Sequence, residues 1–373
     1  MAALLDDKNF FPPSYLHHLS DLEGADLESL RSVWPQASPN RRFTLLEDLE
    51  ELAEEDTLVS YDSIARMALQ DEDPRVRTIA VRLLWEADDP KLAQIFIKMV
   101  HEDPEIQVRA AVATALGMFV YLGELEEISK QLHHKIEDLL LQIVNGTDDI
   151  LVRRRALESL GFSGRKEVPS LIRMAYENGD ISWLASALFA MGRSADESWA
   201  PEVLRMLRHQ QTSVQLEAIR AAGELTLDSA RRPILLLLDD ELLDSEIRAA
   251  IYWSLSKIGG DDVRETLEEH LEQTEDDEEA EIIEDALENL DFTEELNMFE
   301  MLDLDDLPSD DETAEEYLIR HKAPLLDENG INIPVDDEDS PSTPALEDEA
   351  EDNEDTQQKP SSGNKRHRHR RSG

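Results

Sequence analysis

An all-α, right-handed solenoid of seven to eight helical hairpins followed by a disordered acidic tail is the fold class this sequence predicts. Three observations lead there. An apolar ladder at positions i, i+4 and i+8 recurs seven times: Val76, Ala80, Leu84; Val108, Val112, Leu116; Val152, Ala156, Leu160; Trp183, Ala187, Met191; Val214, Ala218, Ala222; Ile247, Ile251, Leu255; and Ile282, Ala286, Leu290. Steps of four keep the apolar residues on one helix face. Successive ladder starts are 32, 44, 31, 31, 33 and 35 residues apart, enough for two short helices and their turns. Charge is also segregated: residues 1–260 hold 45 acids against 27 Lys and Arg, residues 261–360 hold 40 against four, and the last 13 hold five cations and no acid.

Taken in order, residues 1–37, with Phe10, Phe11, Pro12, Pro13 and Trp34, read as an N-terminal extension that either wraps the cap of the array or is loose. Residues 38–292 are the predicted solenoid. Arg41 to Leu52 is expected to cap its open end, because terminal repeats need a more polar outer face. SYDSIARMALQ from Ser60 supplies the first partner helix, and LAQIFIKMV from Leu92, IEDLLLQIV from Ile136, VPSLIRMAY from Val168, PEVLRMLR from Pro201 and RRPILLLLDD from Arg231 supply the next. Several follow a proline, which suits the first helical turn. The 44-residue spacing contains FVYLGELEEISKQLHHK from Phe119, read either as a lengthened hairpin or as a projecting binding feature.

Three residues before each ladder start stands Asp73, Glu105, Asp149, Asp180, Gln211, Asp244 or Glu279. An acid there can accept orphan amides at a helix entrance. Arg77, Arg109, Arg153 and Arg248 directly follow ladder starts, so acid–arginine bonds between neighbouring turns are expected, with gaps at Leu184 and Gln215. Gly117, Gly161, Gly192, Gly223 and Gly259 read as helix C-caps.

The segments DPRVRTIAVRLL at Asp73 and DSEIRAAIYWSLSKIG at Asp244 resemble HEAT repeats, most closely the short bacterial subtype of the phycobilisome lyase HEAT-like proteins. The resemblance covers roughly residues 60–292 and implies a stack of hairpins whose output is binding surface. Bilin lyase subunits belong to that family, and a related architecture carries a di-iron hydroxylase with repeated His-Glu pairs. Only His101-Glu102 has that form here. His133, His134, His209 and His270 are expected as solvated surface histidines, and no metal site, cofactor or catalytic residue is assigned.

A net charge of -49 disfavours nucleic acid as a target of the body, which would need cations to meet a phosphate backbone, and points to a protein partner with a basic surface. With no cysteine there is no disulfide framework or thiolate chemistry. MAALLDDKNFFPP lacks a cationic n-region, and no signal peptide or membrane insertion is expected. A cytoplasmic, non-catalytic adaptor or assembly factor is the leading expectation, using the concave surface of the array. A bilin lyase-like subunit and an acidic chaperone-like binder of a basic client are the alternatives. Candidate partner-binding residues are Arg154, Arg155, Arg205, Arg208, Gln215 and Trp253. Residues 293–360 read as a largely disordered acidic tail with a candidate motif at Met298, Phe299, Met301 and Leu302, and residues 361–373 as a basic tip. A contact between tail and body is a further expectation.

Overall fold

The computed structural model describes residues 2–300 apart from Asp239 and Glu241. Sixteen α-helices follow in order: α1 (Gly24–Val33), α2 (Pro39–Glu55), α3 (Asp62–Ala68), α4 (Pro74–Arg82), α5 (Pro90–Glu102), α6 (Ile106–Glu124), α7 (Lys130–Asn145), α8 (Ile150–Leu160), α9 (Val168–Tyr176), α10 (Ile181–Arg193), α11 (Ala200–Met206), α12 (Thr212–Glu224), α13 (Asp228–Leu235), α14 (Ser245–Ile258), α15 (Asp261–Gln273) and α16 (Asp277–Glu300). No strand occurs among the described residues. From α2 to α16 the even-numbered helices pack on one another in sequence, and from α3 onward each odd-numbered helix covers the even helix that follows it. This is an α-solenoid. One hairpin cannot bury its apolar face alone, and stacking makes the core continuous from Leu45 to Leu290.

The ladder is that core. From Val76 to Leu255 every ladder residue except Trp183 is buried. Trp183 is half-buried, packed against the core on one side and under the Arg153 guanidinium on the other, 5.5 Å from the ring centroid. In the last copy Ile283, not the expected Ile282, is fully buried with Ala286 and Leu290. Two adjacent isoleucines left the register open, and packing on α14 selects the second.

Helix entrances follow local chemistry. Asp73, Asp149, Asp180 and Asp244 each accept amides of the first turn, whereas Glu105 and Gln211 make no side-chain cap. For three of the four arginines the bonds run between hairpins as expected. Arg77 grips Asp103 with two contacts of 2.8 Å, Arg109 grips Asp148 at 2.6 and 3.1 Å, and Arg248 reaches Glu279 at 3.2 Å. Each also donates to a carbonyl of the turn just before its own helix. Hydrogen bonding from Arg109 holds the Asp148 carboxyl below its ordinary range.

Gly161 and Gly259 stand at the C-caps of α8 and α14 as expected, but the other three glycines act differently. Gly117, Gly192 and Gly223 lie inside α6, α10 and α12, and only Gly259 of the five has positive φ, at 73°. A Cβ on Gly223 would lie 2.7 Å from Ser254 Cα, and one on Gly192 3.0 Å from Ala221 Cα. Missing side chains therefore let successive even helices approach backbone to backbone.

At the N-terminus, Leu4, Phe11, Leu16, Leu30 and Trp34 are buried against the start of the array. Arg41 donates to the carbonyls of Asp6 and Asn9, and Tyr61 Oη donates to Leu16 O at 3.3 Å. The long spacing is a lengthened hairpin: α6 has 19 residues and α7 has 16. By length and composition α6 alone among the described helices could cross a membrane, yet its apolar residues face α4, α5, α7 and α8.

Candidate functional site

A groove of about 920 Å³ runs across the even helices α2, α4, α6 and α8. Its floor is made of small side chains, Ala110, Ala111, Thr114 and Ala115 of α6 with Thr78 and Val81 of α4. Thr78, Ala111 and Thr114 stand two or three positions beyond the buried ladder starts Val76 and Val108, or one turn further along, and reach the surface, while Val81, Ala110 and Ala115 are themselves buried at the edge of the core. At one side stands Trp85, which is 57% exposed. The helix α4 ends at Arg82, and the turn before Pro90 carries the indole out beyond the stack. Glu50, Glu54, Asp62, Glu86 and Asp88 line the groove against two cations, Arg82 and Arg155. Arg82 is bound to Glu50, with Nε 2.6 Å from Oε1, so the groove is acidic in balance.

Further along, α8 and α10 share a polar network where the arginine series is broken. Arg153 has no hairpin-bridging carboxylate; Nε donates to Val144 O at 3.0 Å. Arg154 Nε donates to Ser186 Oγ at 2.9 Å, Ser186 Oγ to Glu158 Oε1 at 2.6 Å, and Arg155 Nη1 to Glu158 Oε2 at 2.5 Å. Burial lowers the Arg154 guanidinium below its usual range and takes that of Arg193 to about 10. Arg193 lies between the rings of Phe162 and Phe189, at 4.6 and 4.2 Å.

Of the residues singled out from sequence, Arg155 lines the groove and Arg154 is held in this network beside it. Arg205 and Arg208 are exposed on α11 and the turn after it, in the odd layer, and are not brought together with them. Gln215 stands where its relatives have arginine and donates to Leu207 O at 3.1 Å, the same backbone bond made with a shorter side chain. Trp253 is 44% exposed on α14 with the Lys257 ammonium 5.6 Å from its ring. Met301 and Leu302 lie outside the described residues, as do the rest of the tail and the basic tip, and of Met298 and Phe299 only the helical backbone is described. Sequence reasoning missed Trp85; it follows the ladder residue Leu84 directly, and only the turn geometry turns it outward.

The expectation of solvated histidines fails at His133, and His270 is half-buried with Nδ1 3.1 Å from Tyr252 Oη. His133 is buried, because Gly123 leaves room for its ring on α6. His134 beside it is exposed.

Glu217 of α12 offers a pH-dependent check. Burial raises its carboxyl above the ordinary value, and Oε2 is buried without a hydrogen-bond partner. A raised folded-state pKa means that ionisation weakens the fold: the penalty is absent below the unfolded value of about 4.3, grows as pH rises from there, and is complete above the folded pKa. Glu217→Gln is therefore expected to raise the urea midpoint at pH 7 and leave it unchanged near pH 3. An equal change at both pH values would show that shape, not charge, is responsible.

The HEAT-repeat family profile matches residues 61–131 and 200–288. In those two regions the chain carries HEAT repeats. No curated protein matches the sequence. Among solved structures, the YibA protein of E. coli is 18% identical with a TM-score of 0.39, covering 77% of this chain and 98% of its own. The complex of CpcE and CpcF of phycocyanin lyase from a Nostoc species is 20% identical with a TM-score of 0.40, covering 61% and 94%. Human deoxyhypusine hydroxylase is 18% identical with a TM-score of 0.32, covering 69% and 93%.

Proposed function

We propose that this chain is a non-catalytic adaptor or assembly factor that holds a basic, partly apolar segment of a partner protein in the groove across α2, α4, α6 and α8. The observation that carries the reading is the conjunction of Trp85, more than half exposed, with a floor of small side chains and an acidic rim. A large aromatic beside a recess is the usual form of a binding anchor, since it buries area with little loss of rotamer freedom. Acidic lining favours a basic partner through encounter rate and selection of orientation. The partner-binding role of Arg154 and Arg155 expected from sequence is reassigned within this proposal: they hold Glu158 and shape the far wall. Trp253, further along the same layer, is a second contact for a long ligand.

Immobilised full-length protein, exposed to lysate of its source cells and analysed by mass spectrometry, tests the reading when set beside Trp85→Ala and a Glu50→Lys, Glu54→Lys variant. The expected result is a protein retained by the parent, released by raised salt and lost from both variants. Retention of the same set by all three, or stoichiometric copurification of a small molecule with no protein enriched, overturns it.

A further inference from the structure

The lengthened hairpin brings together a cluster that the groove does not use. His133 and Glu137 are one helical turn apart on the buried face of α7, and Glu124 ends α6 opposite them. A Cβ on Gly123 would sit 2.3 Å from the His133 ring, so the imidazole lies directly on the α6 backbone. His133 is 8% exposed and Glu137 1%. His133 Nε2 is buried and has no hydrogen-bond partner, yet it faces two carboxylates: Glu137 Oε1 at 3.6 Å and Glu124 Oε1 at 3.7 Å.

Those separations are too long for hydrogen bonds, which close to about 2.7–3.2 Å. They are near the spacing of two ligands on one metal ion: bonds of about 2.0–2.2 Å in a tetrahedral site put neighbouring donors roughly 3.4 Å apart. The carboxylates are also oriented from behind. Ser163 Oγ donates to Glu137 Oε1, and the Gly164 amide donates to Glu124 Oε1 at 2.7 Å, both from the turn after α8. Outer hydrogen bonds of this kind fix the direction of metal-ligating carboxylates. The exposed His134 offers a further nitrogen: its ligand atom and those of His133 and Glu137 lie within 4.8 Å of one another. Arg165 Nη1 stands 3.7 Å from the other Glu137 oxygen and offsets part of the negative charge.

We propose that His133, His134 and Glu137 bind a divalent transition-metal ion of the zinc class, with Glu124, whose Oε1 lies 3.7 Å from His133 Nε2, as a further carboxylate at the edge of the site. Imidazole with carboxylate suits zinc and its neighbours better than magnesium or calcium, which take all-oxygen sets. The bound ion would tie α6, α7 and, through Ser163 and Gly164, the following hairpin into one unit at the point where the array departs from its regular spacing.

The test is titration of zinc chloride into chelator-treated full-length protein at pH 7 by calorimetry, with cobalt chloride titrated separately to read visible d–d absorption. Acids are abundant in this chain and His367 and His369 lie in its basic tip, so weak surface binding must be separated from a built site. The expected result is one tight ion per chain and a melting temperature raised by zinc. His133→Ala should weaken that site at least about 100-fold, and Ser163→Ala about 10-fold through the outer bond. A His367→Ala, His369→Ala variant should keep it. Because His133 is buried, His134→Ala, on the exposed side, serves as the second ligand variant, with helicity checked by circular dichroism. The proposal is overturned by binding that survives both His133→Ala and His134→Ala. It is overturned equally by binding that disappears with the tip histidines, or by a His133 ring that nitrogen NMR shows doubly protonated at pH 7 and unmoved by zinc.

Discussion

Asp71→Ala is expected to cost about 3–5 kcal/mol of stability, because it leaves a buried guanidinium without its counter-charge. The side chains of Arg42 and Asp71 are 3% and 2% exposed and meet at 3.0 Å, with a second contact of 3.1 Å. Asp71 also accepts from Trp34 Nε1 at 2.7 Å and from the Asp73 amide at 2.9 Å. One carboxylate thus ties the N-terminal segment, α2 and the entrance of α4 together. Glu72 lies 3.1 Å from Arg42 but is exposed, so it returns only part of the lost interaction. Asp71→Asn keeps an acceptor for Trp34 and is expected to cost less than Asp71→Ala. Arg42→Met combined with Asp71→Asn should recover much of the deficit, since removing both charges removes the desolvation cost as well. Urea unfolding followed by circular dichroism checks the series. A loss below about 1 kcal/mol for Asp71→Ala would mean that water or Glu72 satisfies Arg42 at little cost.

How this cap is built was hidden in the sequence for a physical reason. The repeats were legible because two periods coincide there, a step of four within each helix and roughly a third of a hundred residues between copies, and only a stacked array satisfies both. Leu4, Phe11 and Leu16 follow no such step; Leu4 sits on a 3-10 turn, Phe11 in irregular chain, and Leu16 in a turn whose carbonyl accepts from Tyr61. At Ile282 and Ile283 the pattern was present but degenerate. Gly117, Gly192 and Gly223 were legible as special and misread as to cause, since a glycine that ends a helix and one that admits a neighbouring helix look alike until the neighbour is placed. Trp85 and His133 needed more again. The first depends on the direction of a turn, and the second on a glycine ten residues earlier meeting it across a hairpin. The sequence does contain the His133 and Glu137 pair at i and i+4, but nothing local says which face of α7 is covered.

Phe119→Ala is expected to cost about 3–5 kcal/mol, the range for emptying a large aromatic from a core that cannot fully collapse. Phe119 is fully buried in α6 and meets the equally buried Phe96 of α5 edge to face, with ring centroids 6.3 Å apart. Because α6 also packs on α4, α7 and α8, the cavity is bounded by three hairpins and no single helix can move in to fill it. Phe119→Leu leaves most of the volume and should cost less than half as much. In a repeat array stability is close to a sum of repeat and neighbour contributions, so the loss should also be local. Hydrogen exchange is the discriminating measurement: amides of α5 to α8 should lose protection while those of α12 and α14 keep theirs. Uniform loss along the chain would instead show a single cooperative unit. The local outcome bears on function, because α6 supplies both the small-residue floor of the groove and, at its far end, Gly123 and Glu124. A variant that loosens this helix without unfolding the array should weaken partner retention and zinc binding together, while Trp85→Ala removes only the first and His133→Ala only the second.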